Sequence, residues 1–468
     1  MDYISTRGAA SAKDFRGATL AGLASDGGLY LPSHWPQFSR QEIAAMAGLD
    51  YPSLAVRIMR PFVAGSLSDA ELTALCHDAY SGFAHKAVTP LVQLDQRHWL
   101  LELFHGPTLA FKDVALQFLG QCFAHFLGRD DKPLTIIGAT SGDTGSAAIH
   151  AVAGRDAIEI FMLHPAGRIS DVQRRQMTTV LSPNVHNIAI QGSFDDAQAM
   201  VKRMFGDPEL TGSLTLSAVN SINWARLMAQ IVYYFAAALQ LGAPHRSVAF
   251  SVPTGNFGDV FAGYVASRMG LPVERLIVAT NINDILHRAL SSGDYSRAEL
   301  APTATPSMDI QVSSNFERLL FDLSGRDGVA IAAMMQDFDA SGALAIDDKL
   351  RTSISERFTS ARIDNDGMTR AIRRAHEETR QVIDPHTAIG LAAAHQDDGD
   401  PAVPLVTLAT AHPAKFPDAV ERACGVRPAL PSRMGNLFDR AERYAELPSD
   451  YDAVRAHVLE HARAGAAA

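Results

Sequence analysis

Lys112 stands in an unusual position for a charged side chain. It follows Phe111 in the turn-rich, apolar segment 104–113 and opens a stretch with helical spacing. Burial among apolar residues and the positive end of a helix both disfavour the ammonium form of a lysine. Because a neutral lysine amine can condense with a carbonyl group, the sequence predicts that Lys112 is a catalytic residue that forms a Schiff base.

A glycine-rich loop, GATSGDTGS at 138–146, follows an apolar strand and precedes a helical segment. Its glycines allow close approach of the backbone to a ligand, and its amides and hydroxyls suit a carboxylate or a phosphate. The loop matches neither the Walker A pattern nor the G-x-G-x-x-G fingerprint of dinucleotide sites. A tight strand–helix turn without any ligand is the alternative interpretation.

A second loop, VPTGNFGD at 252–259, has the same placement between a strand and a helix. Backbone amides from Gly255 to Gly258 could surround a phosphate at the positive end of the helix, without help from lysine or arginine. Two anion loops in one chain indicate either a ligand with two anionic ends or a cofactor together with a substrate. Together with Lys112, the loops predict a pyridoxal-phosphate enzyme.

Two further segments carry polar groups. Thr410 ends a predicted strand, where ligand contacts concentrate in α/β proteins, and His412 and Lys415 follow it. His412 and Lys415 are candidate acid–base groups, but we rank both below Lys112. A histidine after a strand is commonly structural, and Lys415 could be a solvated helix-start residue. The segment NSINWAR at 220–226 could orient a substrate, or it could be a helix cap followed by core.

Other kinds of site have no matching pattern. The 17 histidines include no H-E-x-x-H, no G-x-S-x-G elbow occurs, and we expect no metal site. The net charge of -10 argues against a general nucleic-acid binder. Widely spaced Cys76, Cys122 and Cys424 predict buried free thiols in a reducing compartment. Because the N-terminus has no apolar signal core and no run approaches the roughly 20 apolar residues of a membrane span, we expect a cytoplasmic protein.

The elements that must position these residues alternate, from about residue 99, between apolar strands and amphipathic helices. Predicted strands lie at 134–138, 159–163, 185–190, 248–252, 275–279 and 405–408. This alternation predicts an α/β fold with parallel sheets flanked by helices, and with ligand loops at one edge of each sheet.

The remaining regions are predicted to be mainly helical. Residues 1–95 form an N-terminal helical and loop-rich module, with helices at 54–59 and 68–79. The strand signal fades between about 283 and 400, where helices such as 368–382 dominate. We expect a catalytic region at 96–430 with a smaller lobe at about 135–213, and a C-terminal helical tail at 431–468 whose last five residues are frayed.

Five motifs occur in the order typical of one enzyme family. They are HGPTLAFKD at 105–113, GATSGDTGSAA at 138–148, NSINWAR at 220–226, PTGNFGD at 253–259 and TAHPAKF at 410–416. In these motifs, and in GGLYLP at 27–32, the chain resembles the longer, bacterial and fungal type of threonine synthase. The resemblance covers most of the chain. It implies the fold type II architecture of the tryptophan-synthase β group of pyridoxal-phosphate enzymes, with two open, mainly parallel sheets.

The resemblance also implies roles for individual residues. Lys112 would form the Schiff base with pyridoxal 5'-phosphate, and Thr410 would bind the pyridine nitrogen. The implied cofactor-phosphate residues are Gly255, Asn256, Phe257, Gly258 and Asp259. The implied substrate residues are Thr140, Ser141, Gly142, Asp143, Thr144, Asn220, Ser221, Asn223 and Arg226. Many relatives carry asparagine where Asp143 stands, so the resemblance does not extend to a hydrogen bond from this side chain to the cofactor hydroxyl.

The implied reaction converts O-phospho-L-homoserine and water to L-threonine and phosphate, the last step of threonine biosynthesis. Arg226 and, more weakly, Lys415 are candidates to bind the substrate phosphate. The first alternative is a serine or threonine dehydratase with the same cofactor, which needs no such phosphate site. The second is a ligand-binding protein without catalysis. The partner is a small-molecule substrate, without nucleic acid or membrane, and the family includes both monomers and homodimers.

Overall fold

The computed structural model describes residues 1–127, 133–218 and 221–463. Its two larger sheets, with helices packed against them, confirm the predicted α/β class. A smaller module precedes them in the chain. Strands and helices are numbered below in chain order.

The N-terminal module contains β1 (Tyr3–Ser5), α1 (Phe15–Ala21), β2 (Tyr30–Pro32), α2 (Arg40–Ala44), α3 (Tyr51–Val63) and α4 (Asp69–Tyr80). Helices α3 and α4 confirm the two that were predicted, and β1 pairs with β2 in an antiparallel ladder that was not. Ser68 caps α4, since its side chain accepts from the amide of Glu71 while Glu71 reaches back. Trp35 and Phe62 pack on the ring of Trp224, so the module is anchored to the catalytic region.

The next part of the chain holds the Lys112 helix and the smaller lobe. Its elements are β3 (Leu91–Gln93), β4 (His98–Glu102), α5 (Lys112–Phe126), β5 (Leu134–Ala139), α6 (Asp143–Val152), β6 (Ile158–Pro165), α7 (Asp171–Thr178), β7 (Val185–Gln191), α8 (Phe194–Phe205), α9 (Pro208–Ser213) and β8 (Thr215–Ser217).

The rest of the chain completes the larger lobe and returns to the smaller one. Its elements are α10 (Trp224–Gln240), β9 (Val248–Pro253), α11 (Gly258–Arg268), β10 (Val273–Thr280), α12 (Ile285–Ser292), β11 (Asp294–Ser296), α13 (Phe316–Leu323), α14 (Gly328–Ser341), β12 (Ala343–Ala345), α15 (Asp348–Ser355), β13 (Phe358–Arg362), α16 (Asn365–Thr379), α17 (Pro385–Ala394), β14 (Leu405–Ala409), α18 (Pro417–Cys424), β15 (Ala445–Pro448) and α19 (Tyr451–His461).

The larger sheet has the strand order β13-β10-β9-β14-β4-β3, and every pair is parallel except β3 with β4. In register, Phe250 of β9 lies between Leu276 of β10 and Val406 of β14. All three side chains are fully buried, which is typical of central parallel strands covered on both faces. The carboxyl ends of β9, β14 and β4 therefore meet at one edge, where the loops after them can converge on a ligand.

The smaller sheet has the order β15-β7-β6-β5-β8 and is parallel throughout. Its centre contains the predicted strands at 134–138, 159–163 and 185–190. Ser193 caps the helix that follows β7. Helix α6 begins at Asp143, within the glycine-rich segment 138–146, so the first part of this segment lies at the positive end of the helix.

Two regions that were predicted to be mainly helical also contain strands. Between 283 and 400, β13 adds to the larger sheet and β11 pairs with β12. In the tail predicted to be helical, β15 joins the smaller sheet before α19 begins, and residues 464–468 lie outside the described part of the chain. The domain limits remain predictions.

The cysteine prediction holds for two residues of three. Cys76 and Cys122 are buried free thiols, whereas Cys424 is partly exposed because it lies in the last turn of a surface helix. Within 1–127, 133–218 and 221–463, no helix has the length and apolar character needed to cross a bilayer.

Candidate active site

Lys112 is the first residue of α5 and is only 7% exposed. The preceding turn is held by two bonds to the segment after β14: the amide of Phe111 donates to Thr410 O at 2.8 Å, and that of His412 donates to Leu109 O at 3.0 Å. Lys112 Nζ lies 3.3 Å from Asp143 Oδ2 and 3.3 Å from Ser307 Oγ. Burial lowers the pKa of Lys112 and outweighs the attraction of Asp143, as the sequence predicted for a reactive amine.

A buried carboxylate shapes the turn before Lys112. Asp113 accepts from the amide of Thr108 at 2.8 Å and from its hydroxyl at 2.6 Å. A side chain at Gly106 would place its Cβ 2.4 Å from Asp113 Cβ, so this position must be glycine. Leu109 adopts φ 64°, a left-handed conformation that a leucine rarely takes. The turn is therefore held in a strained form that presents Lys112 to the interior.

Asp143 is the centre of charge in the site. Its carboxylate accepts from Lys415 Nζ at 2.8 Å and Gln173 Nε2 at 2.9 Å, in addition to Lys112. Burial alone raises the pKa of Asp143, but Lys415 and Lys112 outweigh burial and hold this pKa well below its usual range. Asp143 is therefore an ionised group that links the small-lobe helix α6 to both lysines.

Lys415 differs from both of its predicted roles. Its side chain is fully buried, and Nζ binds Asp143 and donates to Thr108 O at 2.8 Å. A lysine with these partners is neither a solvated helix-start residue nor free to bind a substrate phosphate. The short helical turn that begins at Pro413 points this side chain inward.

The 253–259 loop has the features of an anion cradle. Within the described residues, no protein acceptor binds the backbone amides of Gly255, Asn256 or Phe257. Phe257 adopts φ 62° immediately before α11, and a Cβ on Gly255 would lie 2.7 Å from Ser307 O. Donors at the start of a helix, with space only for a glycine, suit a phosphate.

Asp259 follows this loop and faces inward. Its carboxylate accepts from the hydroxyls of Tyr233 and Tyr234, and Oδ2 has no partner among the described residues. Burial raises the pKa of Asp259 to about 6. The two tyrosines hold the Asp259 side chain, which lines the same cavity as the cradle.

Arg226 is a buried cation with free donors. It is 4% exposed, and neither Nε nor Nη1 has a partner within the described part of the chain. Burial lowers the pKa of Arg226 to about 10. Since unpaired buried charge is costly, this guanidinium is suited to an anionic ligand.

These groups surround one cavity. It is lined by Phe111, Lys112, Asp143, Thr144, Ser221, Arg226, Gln230, Pro253, Thr254, Gly255, Asn256, Phe257, Gly258, Asp259, Ser307, Met308, His386 and Thr410. The structure therefore brings together the predicted lysine, the second glycine-rich loop, Thr410 and part of both substrate segments. An amine with a lowered pKa matches the aldehyde group of pyridoxal phosphate, and a cradle that only glycine fits matches its phosphate. A buried guanidinium with two donors that no described residue binds matches an anionic substrate.

Other predicted residues lie elsewhere or face away. Thr140 Oγ1 accepts from the amides of Gly142 and Gly145, which makes its side chain part of the loop's own scaffold. Asn223 caps α10 and donates to Thr19 O, so both of its polar atoms are engaged with protein. Ser141 lines the cleft between the lobes, and Asn220 is outside the described residues.

The surroundings of Gly142 and His412 show how each residue is placed relative to the site. Gly142 adopts φ 129°, and a Cβ there would meet the Gln173 side chain at 2.5 Å, so its contribution is its backbone. His412 lines a separate cavity beside Glu102, and burial lowers its pKa to about 4. His412 therefore does not line the cavity that contains Lys112.

Ser307 and His386 both line the cavity, although no sequence pattern indicated them. His386 Nδ1 lies 2.8 Å from Asp384 Oδ2, and the amide of Ser307 donates to His386 Nε2 at 3.4 Å. Aspartate followed by proline at 384–385 is a helix-start signal, and α17 does begin there. That signal locates a helix but does not indicate that its first turn reaches an active site.

Comparisons with known proteins cover nearly the whole chain. Residues 2–80 match the family described as "Threonine synthase N terminus", residues 83–345 match "Pyridoxal-phosphate dependent enzyme", and residues 387–458 match "Threonine synthase, C-terminal". The chain is 56% identical to threonine synthase of Pseudomonas aeruginosa over 99% of both chains. It is 43% identical to that of Saccharomyces cerevisiae over 90% of this chain and 88% of the other.

Solved structures agree with these matches. The structure of a PLP-bound threonine synthase from Brucella melitensis superposes with a TM-score of 0.97 at 51% identity, covering 99% of this chain and 100% of that one. Threonine synthase from yeast gives a TM-score of 0.93 at 40% identity, with 98% of each chain covered.

Proposed function

This chain belongs to the threonine synthase family of pyridoxal-phosphate-dependent enzymes, and from that premise we propose that it converts O-phospho-L-homoserine and water to L-threonine and phosphate. One observation supports the proposal above the others. The Lys112 amine, the anion cradle and the guanidinium of Arg226, whose Nε and Nη1 have no partner among the described residues, line the same cavity. A dehydratase with the same cofactor needs the lysine and the cradle, but it does not need a cation such as Arg226 to bind a substrate phosphate.

The residues of this chain fit the cofactor. Lys112 would bond to the aldehyde carbon of the cofactor, and the backbone amides of 255–258 would bind the cofactor phosphate. The Thr410 hydroxyl would form a hydrogen bond with the pyridine nitrogen. When bound, pyridoxal phosphate supplies a conjugated system that spreads the negative charge left after a proton is removed from the substrate. A hydroxyl partner such as Thr410, in place of a carboxylate, favours the unprotonated ring nitrogen.

Lys112 is the proposed proton carrier of the reaction. Its lowered pKa leaves Nζ able to accept the Cα proton of the substrate, and once that proton has passed on, Nζ can accept a second proton from Cβ. Phosphate leaves from Cγ with the bonding electron pair and takes up the first proton, and Nζ returns the second proton to Cγ. Water then supplies a hydroxyl to Cβ and a proton to Cα. Asp143 is 3.3 Å away, so it can stabilise the ammonium form while Lys112 holds the proton.

Arg226 is the proposed partner of the substrate phosphate. Two free donors on one buried guanidinium can bind two phosphate oxygens, which is the geometry in which arginine is strongest. The cleft between the lobes, a cavity of about 470 Å³, is lined by Ser141 and by Pro306, which directly precedes Ser307 of the Lys112 cavity. Approach of the lobes over the substrate would exclude water until phosphate has left.

We also propose that the enzyme is cytoplasmic and is a monomer or a homodimer. The buried free thiols of Cys76 and Cys122 fit a reducing compartment. Cell fractionation tests the location, and light scattering of the holoenzyme tests the oligomeric state.

The activity is tested by measuring phosphate release from phosphohomoserine together with threonine formation by the holoenzyme. We expect one threonine for each phosphate, and no oxobutyrate when threonine is the substrate. Conversion of threonine to oxobutyrate without any turnover of phosphohomoserine would instead identify a dehydratase. A yellow, folded protein with neither activity would identify a non-catalytic ligand-binding protein.

A further inference from the structure

Backbone carbonyl groups of the cradle at 255–258 accept hydrogen bonds from a segment that does not line the cavity. This segment, residues 313–318, immediately precedes α13 and forms its first turn. We propose that Ser313, Asn315 and Arg318 are positioning residues, which fix the cradle in the conformation that binds the cofactor phosphate. The inference rests on the proposed role of the cradle and deepens it.

Two carbonyl groups of the cradle are bound by this segment. Ser313 Oγ donates to Gly255 O at 2.7 Å, while Asn315 donates to Asn256 O from its amide at 3.1 Å and from Nδ2 at 2.9 Å. In a planar trans peptide the C=O and the following N–H point in opposite directions. Because the carbonyls of Gly255 and Asn256 point toward the 313–318 segment, the amides of Asn256 and Phe257 point away from that segment.

The backbone of the cradle needs such support. Phe257 has φ 62°, a left-handed conformation that is strained for a bulky residue. This conformation persists only where neighbouring groups over-determine it. The bonds from Ser313 and Asn315 act on the two peptides that precede Phe257, so they are placed to hold it.

Arg318 sets the orientation of Asn315. Its guanidinium is fully buried and donates to Asn315 Oδ1, to Ile222 O at 2.6 Å and to Tyr30 O at 2.9 Å. Because Oδ1 accepts from arginine, the Asn315 Nδ2 group must point toward the cradle. Within the described residues Arg318 forms no ion pair with a carboxylate, so its charge is balanced by carbonyl and amide oxygens. One of these, Tyr30 O, belongs to the N-terminal module.

The test compares two cofactor forms that differ only in the phosphate. The apoenzyme of the full chain is titrated with pyridoxal phosphate and with pyridoxal. The ratio of the two dissociation constants measures how much the contact between cradle and phosphate adds to cofactor affinity. We expect Asn315→Ala to weaken pyridoxal phosphate about tenfold, from the loss of hydrogen bonds worth about 1–2 kcal/mol. Pyridoxal affinity should change by less than about twofold, because its binding does not use the cradle.

Asn184→Ala is the matched control. Asn184 is also a buried asparagine whose side chain donates to backbone carbonyls, including Val152 O at 2.8 Å and Ile158 O at 2.9 Å, but it lies in the smaller lobe. Asn184→Ala should lower the thermal midpoint without changing the ratio. A purely structural role for Asn315 would produce the same pattern.

The outcomes separate the positioning role from the role of the cradle. If the wild-type protein binds both cofactor forms equally, the cradle does not hold the phosphate, and both proposals fail. If wild type prefers pyridoxal phosphate while Ser313→Ala, Asn315→Ala and Arg318→Lys all keep the wild-type ratio, only the positioning role is refuted. If Asn315→Ala does not fold, the positioning role is tested with Ser313→Ala, which removes a single hydroxyl. The same ratio of dissociation constants is measured for that variant.

Discussion

Replacing Arg226 by methionine should damage catalysis without destabilising the apoprotein. The side chain is buried, and Nε and Nη1 have no partner among the described residues. Burial lowers the pKa of Arg226 to about 10. At about 1.4 kcal/mol for each pKa unit, the charged group destabilises the folded apoprotein by about 3 kcal/mol at neutral pH. Because the folded pKa lies below the unfolded value, this penalty is present throughout the range below pH 10.

The same charge should stabilise the bound substrate. Two charge-assisted hydrogen bonds to a phosphate, at about 1.5 kcal/mol each, give about 3 kcal/mol, or a loss of about 100-fold in kcat/KM when they are removed. Arg226→Met should show this loss with phosphohomoserine, while the thermal midpoint of its apoprotein stays the same or rises. Arg370→Gln, at an exposed arginine on α16, should change neither quantity.

Steady-state kinetics and a cofactor titration of the same variant would refute the assignment in two ways. An unchanged kcat/KM would show that Arg226 does not contact the substrate. A loss of pyridoxal-phosphate affinity without a specific effect on phosphohomoserine would place the guanidinium beside the cofactor phosphate instead. A lowered thermal midpoint of the apoprotein would show that the charge is already satisfied in the fold.

Three further outcomes follow from the same geometry. Borohydride reduction and peptide mapping should place the pyridoxyl label on Lys112, and a label on Lys415 would contradict that assignment. Gly255→Ala should lose cofactor affinity at least about tenfold because its Cβ would lie 2.7 Å from a backbone oxygen, whereas Gly82→Ala, which meets nothing within 4 Å, should retain it. Lys415→Met should raise the pKa of Lys112, since a repelling charge is removed while Asp143 remains, so spectrophotometric titration should find cofactor attachment shifted to higher pH.

The strands that the sequence predicted are the central ones. Those at 134–138, 159–163, 185–190, 248–252 and 405–408 are apolar over nearly their full length, because both of their faces are covered. Of the missed strands in the two larger sheets, β3, β8, β13 and β15 are at sheet edges, and β4 lies next to the edge strand β3. An edge strand is short and half exposed, and its pairing with a neighbour distant in sequence is what makes it a strand. Its local sequence therefore carries little signal.

The predicted parts of the site were likewise those that a single segment encodes. Lys112 in its turn and the glycines of 253–259 depend on local backbone requirements, so their spacing is visible in the chain. Ser307 and His386 reach the same cavity from segments about 80 residues apart, and neither neighbourhood contains a ligand-loop pattern. Their proximity depends on how the sheet brings the ends of its strands together.

By itself the sequence determined the chemistry available: an amine at a helix start, two glycine-rich loops after apolar strands, and the family to which the ordered motifs belong. Only the tertiary structure decided which charges pair. It placed Lys415 in the interior against Asp143, gave Nε and Nη1 of Arg226 no partner among the described residues, and used Asn223 as a helix cap. The physical reason is that spacing along the chain fixes backbone conformation, whereas desolvation and pairing depend on groups brought close from distant segments.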